Sequence, residues 1–204
     1  MSRLDAFIRR LQAQRVCLGL AADLIAGVPG PVLELGLGNG RTYDHLRELM
    51  PDREIFVFER QPMAHPDSMP DADHLIVGDV YDRLPDARRL APHGAALAHS
   101  DVGTGDAERN ARMAEWLAGV LPPLMAPGGV IASDQPLGHH DLESLPLPPE
   151  VPARRYFLYR RVAIREIEVA SGTGQHARSQ PTTEEPNQPA DRTHETPDLS
   201  KVIH

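Results

Sequence analysis

Apolar and polar positions divide the chain into one long opening segment and a run of short ones. Leu4, Phe7, Ile8, Leu11, Val16, Leu18, Ala22 and Ile25 recur at three- and four-residue spacing, which predicts an amphipathic helix over residues 3–26. Ser2 is placed to cap it, and Gly27 with Pro29-Gly30-Pro31 stops it. The pattern then changes to short continuous apolar runs at Val32–Leu35, Ile55–Phe58, Leu75–Val77, Ala95–Ala98 and Val130–Ser133. Helical patterns at Thr42–Leu49 and from about Ala107 to Leu121 lie between them. Continuous apolar runs, rather than strict alternation, mark strands buried on both faces, as in a parallel sheet. Strands alternating with helices imply βαβ units.

The expected fold is therefore α/β, a Rossmann-like and mostly parallel sheet with helices on both faces, preceded by the N-terminal helix. Arg155–Val169 reads as two terminal antiparallel strands, and the prolines at 146, 148, 149 and 152 make Ser144–Pro152 a loop. From about Ser171 the aromatic residues stop and Gly, Pro, Thr, Gln and charged residues dominate, which predicts a disordered tail. The expected organisation is 1–30 helix and linker, 31–170 ligand-binding domain, and 171–204 tail.

Composition narrows the classes of function. Of 204 residues 41% are hydrophobic and 25% charged, with a formal net charge of -8. That balance argues against a nucleic-acid substrate, whose affinity comes from clustered Lys and Arg. Cys17 is the sole cysteine, which rules out an intrachain disulfide and reads as a small apolar helix residue. No stretch approaches the ~20 apolar residues of a membrane span, and the opening segment lacks the apolar core of a signal peptide. A cytoplasmic protein with no membrane role is expected.

The chemistry concentrates at strand ends. After the first strand comes Glu34-Leu35-Gly36-Leu37-Gly38-Asn39-Gly40. Glycines there let the chain turn sharply and let a ligand approach the backbone. The spacing is G-x-G-x-G, whereas the dinucleotide fingerprint G-x-G-x-x-G would need its third glycine at Arg41. At the tip of the second strand stands Glu59, about twenty residues on, a carboxylate able to accept both hydrogen bonds of a ribose diol. Arg60 follows it. The third strand ends in Gly78-Asp79-Val80.

These three markers resemble motifs I to III of class I S-adenosylmethionine methyltransferases, over about residues 30–135. The opening Arg-rich helix and the glycine-loop stretch through Tyr43 are also similar to a small bacterial group of stand-alone methyltransferases without an assigned substrate. The resemblance implies S-adenosyl-L-methionine as cofactor. Gly36, Leu37, Gly38, Asn39 and Gly40 would border its methionine and ribose parts. Glu34 would orient the loop and contact the methionine amino group. Glu59 would take the ribose, Asp79 the adenine amino group, and Val80 would flank the ring. Leu124–Val130, with Pro127-Gly128-Gly129, resembles the family's chain reversal before strand five.

For the acceptor, Asp101 is the first candidate for binding or base work after strand four, and His99 has the intrinsic pKa of a base near neutrality. Asp134 and Gln135, after strand five, are candidates for acceptor contact. Strand four lacks the Asn/Asp-Pro-Pro-Tyr/Phe tetrad of amino-methylating nucleic-acid enzymes. Gly128–Gln135 is similar to the strand-five end of divalent-metal catechol-type O-methyltransferases, but Gln135 replaces their Asn, so no metal is assigned. The expected function is methyl transfer to O or N of a small molecule. The alternatives are a non-catalytic cofactor-binding regulator and an NAD-dependent oxidoreductase. The opening helix suggests a lid or a homodimer surface.

Overall fold

The computed structural model describes residues 2–162. Seven strands form one sheet in the order β3-β2-β1-β4-β5-β7-β6. They are β1 (Val32–Leu35), β2 (Ile55–Glu59), β3 (Leu75–Val77), β4 (Ala95–Ser100), β5 (Met125–Ser133), β6 (Leu142–Ser144) and β7 (Phe157–Arg161). The first five pair in parallel, and β7 runs antiparallel to both β5 and β6. The expected fold class is thus observed. The strand order reverses between β1 and β4, where open parallel sheets bind ligands outside their carboxyl ends.

Alternation along the strands splits the core in two. Leu33, Leu35, Phe56, Phe58 and Ile131 pack with Leu84, Ala87, Ala114 and Leu117 on one side. Leu84 and Ala87 come from the short turns around α3 (Val80–Arg83) and α4 (Ala87–Leu90), and the last two from α5 (Ala107–Val120). Val32, Ile55, Val57, Val130 and Ala132 pack on the other side with α1 (Arg3–Leu24) and α2 (Arg41–Leu49). Cys17 lies buried in this second layer, and burial pushes its thiol up to about 11.

α1 begins with a capping box: Asp5 N–H donates to Ser2 Oγ at 3.0 Å, and Ser2 N–H to Asp5 Oδ2 at 3.2 Å. Its buried stripe is Ala13, Cys17, Leu18 and Ala21, so only the second half of the helix is packed down. Leu4, Phe7 and Ile8, which the periodicity assigned to the core face, are exposed. Arg53 ties the end of α1 to the start of β2, donating to the carbonyls of Val28, Gly30 and Ile25.

Two expectations change. Pro127-Gly128-Gly129 does not reverse the chain but bulges β5: the register steps from Ala95↔Met125 to Leu97↔Val130. Gly129 is required there, because a Cβ would stand 2.8 Å from the Ala95 carbonyl oxygen. β7 pairs with β6, a strand the sequence reading missed. Residues 163–169 and the expected tail from 171 lie outside the described residues. No helix among the described residues is long and apolar enough to cross a membrane.

Candidate active site

A cavity of about 440 Å³ opens at the carboxyl ends of β1, β2, β3 and β4. Gly36, Leu37, Gly38 and Asn39 form its floor, Glu59 and Arg60 one flank, and Asp79, Val80 and Tyr81 the far wall. Asp101–Thr104, Arg109 and Met113 close the opposite end, and Arg10, Leu11 and Gln14 of α1 overhang it. The cavity thus brings together eight sequence-predicted cofactor residues from three separate strand ends.

Glycines shape the loop. Gly40 begins α2 with φ 81°, and a Cβ there would meet Ser68 Cβ at 2.6 Å and the Ser68 carbonyl oxygen at 2.7 Å. Glu59 holds the loop from the neighbouring strand, its Oε2 accepting from Leu37 N–H at 2.8 Å and Gly38 N–H at 3.3 Å. Its Oε1 accepts from Gln61 N–H at 2.8 Å. Partial burial alone would raise its pKa, but the backbone N–H groups of Gln61, Leu37, Gly38 and Arg60 together hold it below the ordinary value. Asp79 caps α3 through Tyr81 N–H at 3.1 Å while lining the cavity, so capping and ligand contact are compatible. Tyr81 leans on Trp116 with ring centroids 4.5 Å apart, which stiffens that wall.

Several predicted residues sit elsewhere. Gly40 and Gly78 shape the backbone without lining the cavity. Glu34 is fully buried and does not line the cavity: Oε1 accepts from Thr42 Oγ1 at 2.5 Å, and Oε2 pairs with His99 Nδ1 at 2.5 Å. His99 is also fully buried, so it is not placed to take a proton from an acceptor. The reason is register. β4 continues to Ser100, and His99 lies opposite Glu34 on the α1 face of the sheet. Its Nε2 meets the hydroxyl of Tyr156.

Asp101 does face the cavity. Both its oxygens accept from Arg10 Nη1, at 3.0 and 3.1 Å, and Oδ2 also accepts from Gln14 Nε2 at 2.9 Å. Sequence reasoning missed Arg10 and Gln14; the available signal was a glutamine at a buried position between Ala13 and Cys17. Asp134 lies under Gly103, whose N–H donates to Oδ2 at 3.1 Å, as does Gln135 Nε2. Neither Asp134 nor Gln135 lines the cavity. Burial first, then the nearby Asp101 charge, pushes the Asp134 carboxyl up to about 6. Among the described residues, ligand atoms able to share a metal ion converge at His139, His140 and Asp141, away from this cavity.

Residues 1–161 match the model of a family described as S-adenosyl-L-methionine methyltransferase. The chain belongs to that family. A crystal structure of an S-adenosyl-L-methionine methyl transferase from Silicibacter pomeroyi DSS-3 is similar at 46% identity and a TM-score of 0.74, covering 79% of this chain and 99% of that one. Cofactor-bound Rv0187 from MTB is similar at 20% identity and a TM-score of 0.49, covering 78% and 88%. No curated protein matches the chain.

The cofactor of this methyltransferase is S-adenosyl-L-methionine, and the site's own donor set fits it. A carboxylate flanking the glycine floor suits a ribose diol. Asp79, with Val80 and Tyr81 beside it, suits an amino-bearing flat ring. Gly38 has nothing within 4 Å of where a Cβ would stand, so ligand atoms can approach the loop closely. When bound, the cofactor supplies an electrophilic methyl group, and the chain supplies orientation and electrostatics.

Proposed function

We propose that this methyltransferase acts on an oxygen or nitrogen of a small-molecule acceptor, which enters between the overhanging first half of α1 and the Asp101–Thr104 loop. The observation that carries this reading is the fixed carboxylate of Asp101. A carboxylate offers about four lone-pair sites. Arg10 and Gln14 engage three of them, through bonds of 2.9–3.1 Å. The remaining site, on Oδ1, is available to an acceptor O–H or N–H. Holding that hydrogen aims the acceptor's lone pair along the line of attack, which is the larger part of what a methyltransferase contributes. Arg10 keeps Asp101 in place and balances its charge.

The polar lining near Asp101, with Gln14, Thr104 and Arg109, suits an acceptor that carries hydrogen-bonding groups. The sequence His99-Ser100-Asp101-Val102 offers no stacking aromatic for an extruded base, which speaks for a small molecule. A cytoplasmic location suits a chain with a single buried thiol.

The test is transfer of a labelled methyl group from S-adenosyl-L-methionine to pools of small metabolites, read by mass spectrometry, with Asp101→Ala as the comparison. Label should enter a small molecule, and the variant should lower transfer at least 100-fold with cofactor affinity unchanged. Label entering protein or nucleic acid instead, or full transfer by the variant, would overturn the reading.

A further inference from the structure

Below the cavity floor, the Glu34–His99 pair is part of a longer buried chain of contacts. Thr42, in the first turn of α2 behind the glycine loop, donates to Glu34 Oε1. Glu34 Oε2 pairs with His99 Nδ1, and His99 Nε2 meets the hydroxyl of Tyr156. Gln14 Nε2 stands 3.5 Å from His99 Nε2 and donates to Asp101 Oδ2. Glu34, His99, Tyr156 and Gln14 are all buried. Five elements therefore meet in one polar unit: α1, β1, α2, β4 and the segment before β7.

Packing does not call for this unit. Burying an ion pair adds little net stability, because desolvation offsets the attraction. The positions flanking Glu34 and His99 on the same strands are filled by leucine, alanine and serine. What distinguishes the pair is its two ends, one on the helix that carries the glycine loop and the other beside the residue that holds Asp101.

We propose that Glu34 and His99 are positioning residues, an internal strut that fixes the glycine loop and the acceptor carboxylate relative to each other. His99 is faced by Glu34 from β1, by Asp101 beyond β4, by Asp134 beyond β5 and by the Tyr156 hydroxyl, with the Arg10 guanidinium behind Asp101. Burial would strip its proton, but Glu34 first, then Asp101 and Asp134, outweigh that and raise its pKa. The ring contacts Glu34 through Nδ1 and the Tyr156 hydroxyl through Nε2. Losing either bond loosens Glu34 and, through Thr42, the loop.

This inference rests on the cofactor's place in the cavity and is independent of which acceptor is used. The experiment is calorimetric titration of the full chain with S-adenosyl-L-methionine in wild type, His99→Asn, Tyr156→Phe and the double variant, alongside nitrogen-15 spectra of the histidine rings between pH 6 and 8. Neither residue lines the cavity, so a purely structural role would lower the melting temperature and leave affinity intact below it. The strut predicts a roughly 10-fold weaker affinity in folded His99→Asn, about 3-fold in Tyr156→Phe, and a double variant no weaker than His99→Asn alone. The His99 ring should hold its proton to a higher pH than an ordinary imidazole. Unchanged affinity in folded His99→Asn or Tyr156→Phe, or a His99 ring that loses its proton below the ordinary imidazole range, would overturn the proposal. The ring spectrum reads the pair without cofactor, so failure of the strut is distinct from failure of cofactor binding.

Discussion

Asp134 offers a sharp test of the electrostatics around the acceptor end. Its Oδ1 is buried without a hydrogen-bond partner, and its carboxyl titrates near 6 rather than near 3.8. Between those values the unfolded chain releases this proton while the folded chain keeps it. The folded state therefore binds more protons, and stability falls as pH rises from about 4 to about 6, then levels off. The difference of roughly two pKa units, at about 1.4 kcal/mol each, amounts to about 3 kcal/mol. Asp134→Asn cannot lose the proton and retains an oxygen for Gly103 and Gln135. Its stability relative to wild type should rise by about 3 kcal/mol between pH 4 and pH 7.5, whatever fixed offset the substitution introduces. Urea unfolding of both proteins across that range reads the difference directly. In a chain of this size the same change corresponds to roughly 6–12 °C in the relative melting temperatures. A difference independent of pH would refute the burial and Asp101 repulsion assigned to this carboxyl.

Other perturbations address separate parts of the site. Glu59→Ala removes three backbone bonds and the ribose acceptor together, so affinity for S-adenosyl-L-methionine should fall at least 100-fold by calorimetry while affinity-independent folding signals persist. Gly40→Ala forces a Cβ against Ser68 from a left-handed backbone, and thermal unfolding should show a loss of about 1–3 kcal/mol. Arg53→Ala removes a donor from three carbonyls, of which Ile25 keeps the Val28 N–H, and urea unfolding should show a loss of about 2 kcal/mol with cofactor affinity unchanged. Arg10→Ala frees Asp101, so methyl transfer should fall about 10-fold or more in a single-turnover assay while the cofactor still binds.

The cofactor half was legible because its signals are local. A glycine spacing, one carboxylate at the tip of β2 and another after β3 each sit at the end of a short apolar run, and a parallel sheet must bring such ends together. The acceptor half was not legible, because its residues converge from distant elements. Reading the fourth strand as ending at Ala98 left His99 free to face solvent; two further residues of pairing turn it inward. Arg10 and Gln14 lie on a helix whose strongest apolar signal, Leu4, Phe7 and Ile8, belongs to its exposed half. Tyr156 fell within the Arg155–Val169 segment read as terminal strands, since nothing in sequence connects it to His99. β6 is three residues long with two of them exposed, too little apolar content for any periodicity to register.

The central claim is that the cavity at the β1–β4 switch binds S-adenosyl-L-methionine through Glu59 and Asp79. Calorimetric titration of the purified chain with S-adenosyl-L-methionine, with NAD as the control, tests it most directly. The account predicts saturable one-site binding of S-adenosyl-L-methionine, none of NAD, and loss of binding in Glu59→Ala and Asp79→Ala. Well-folded protein that fails to bind S-adenosyl-L-methionine, or that binds it undiminished in both variants, would contradict it.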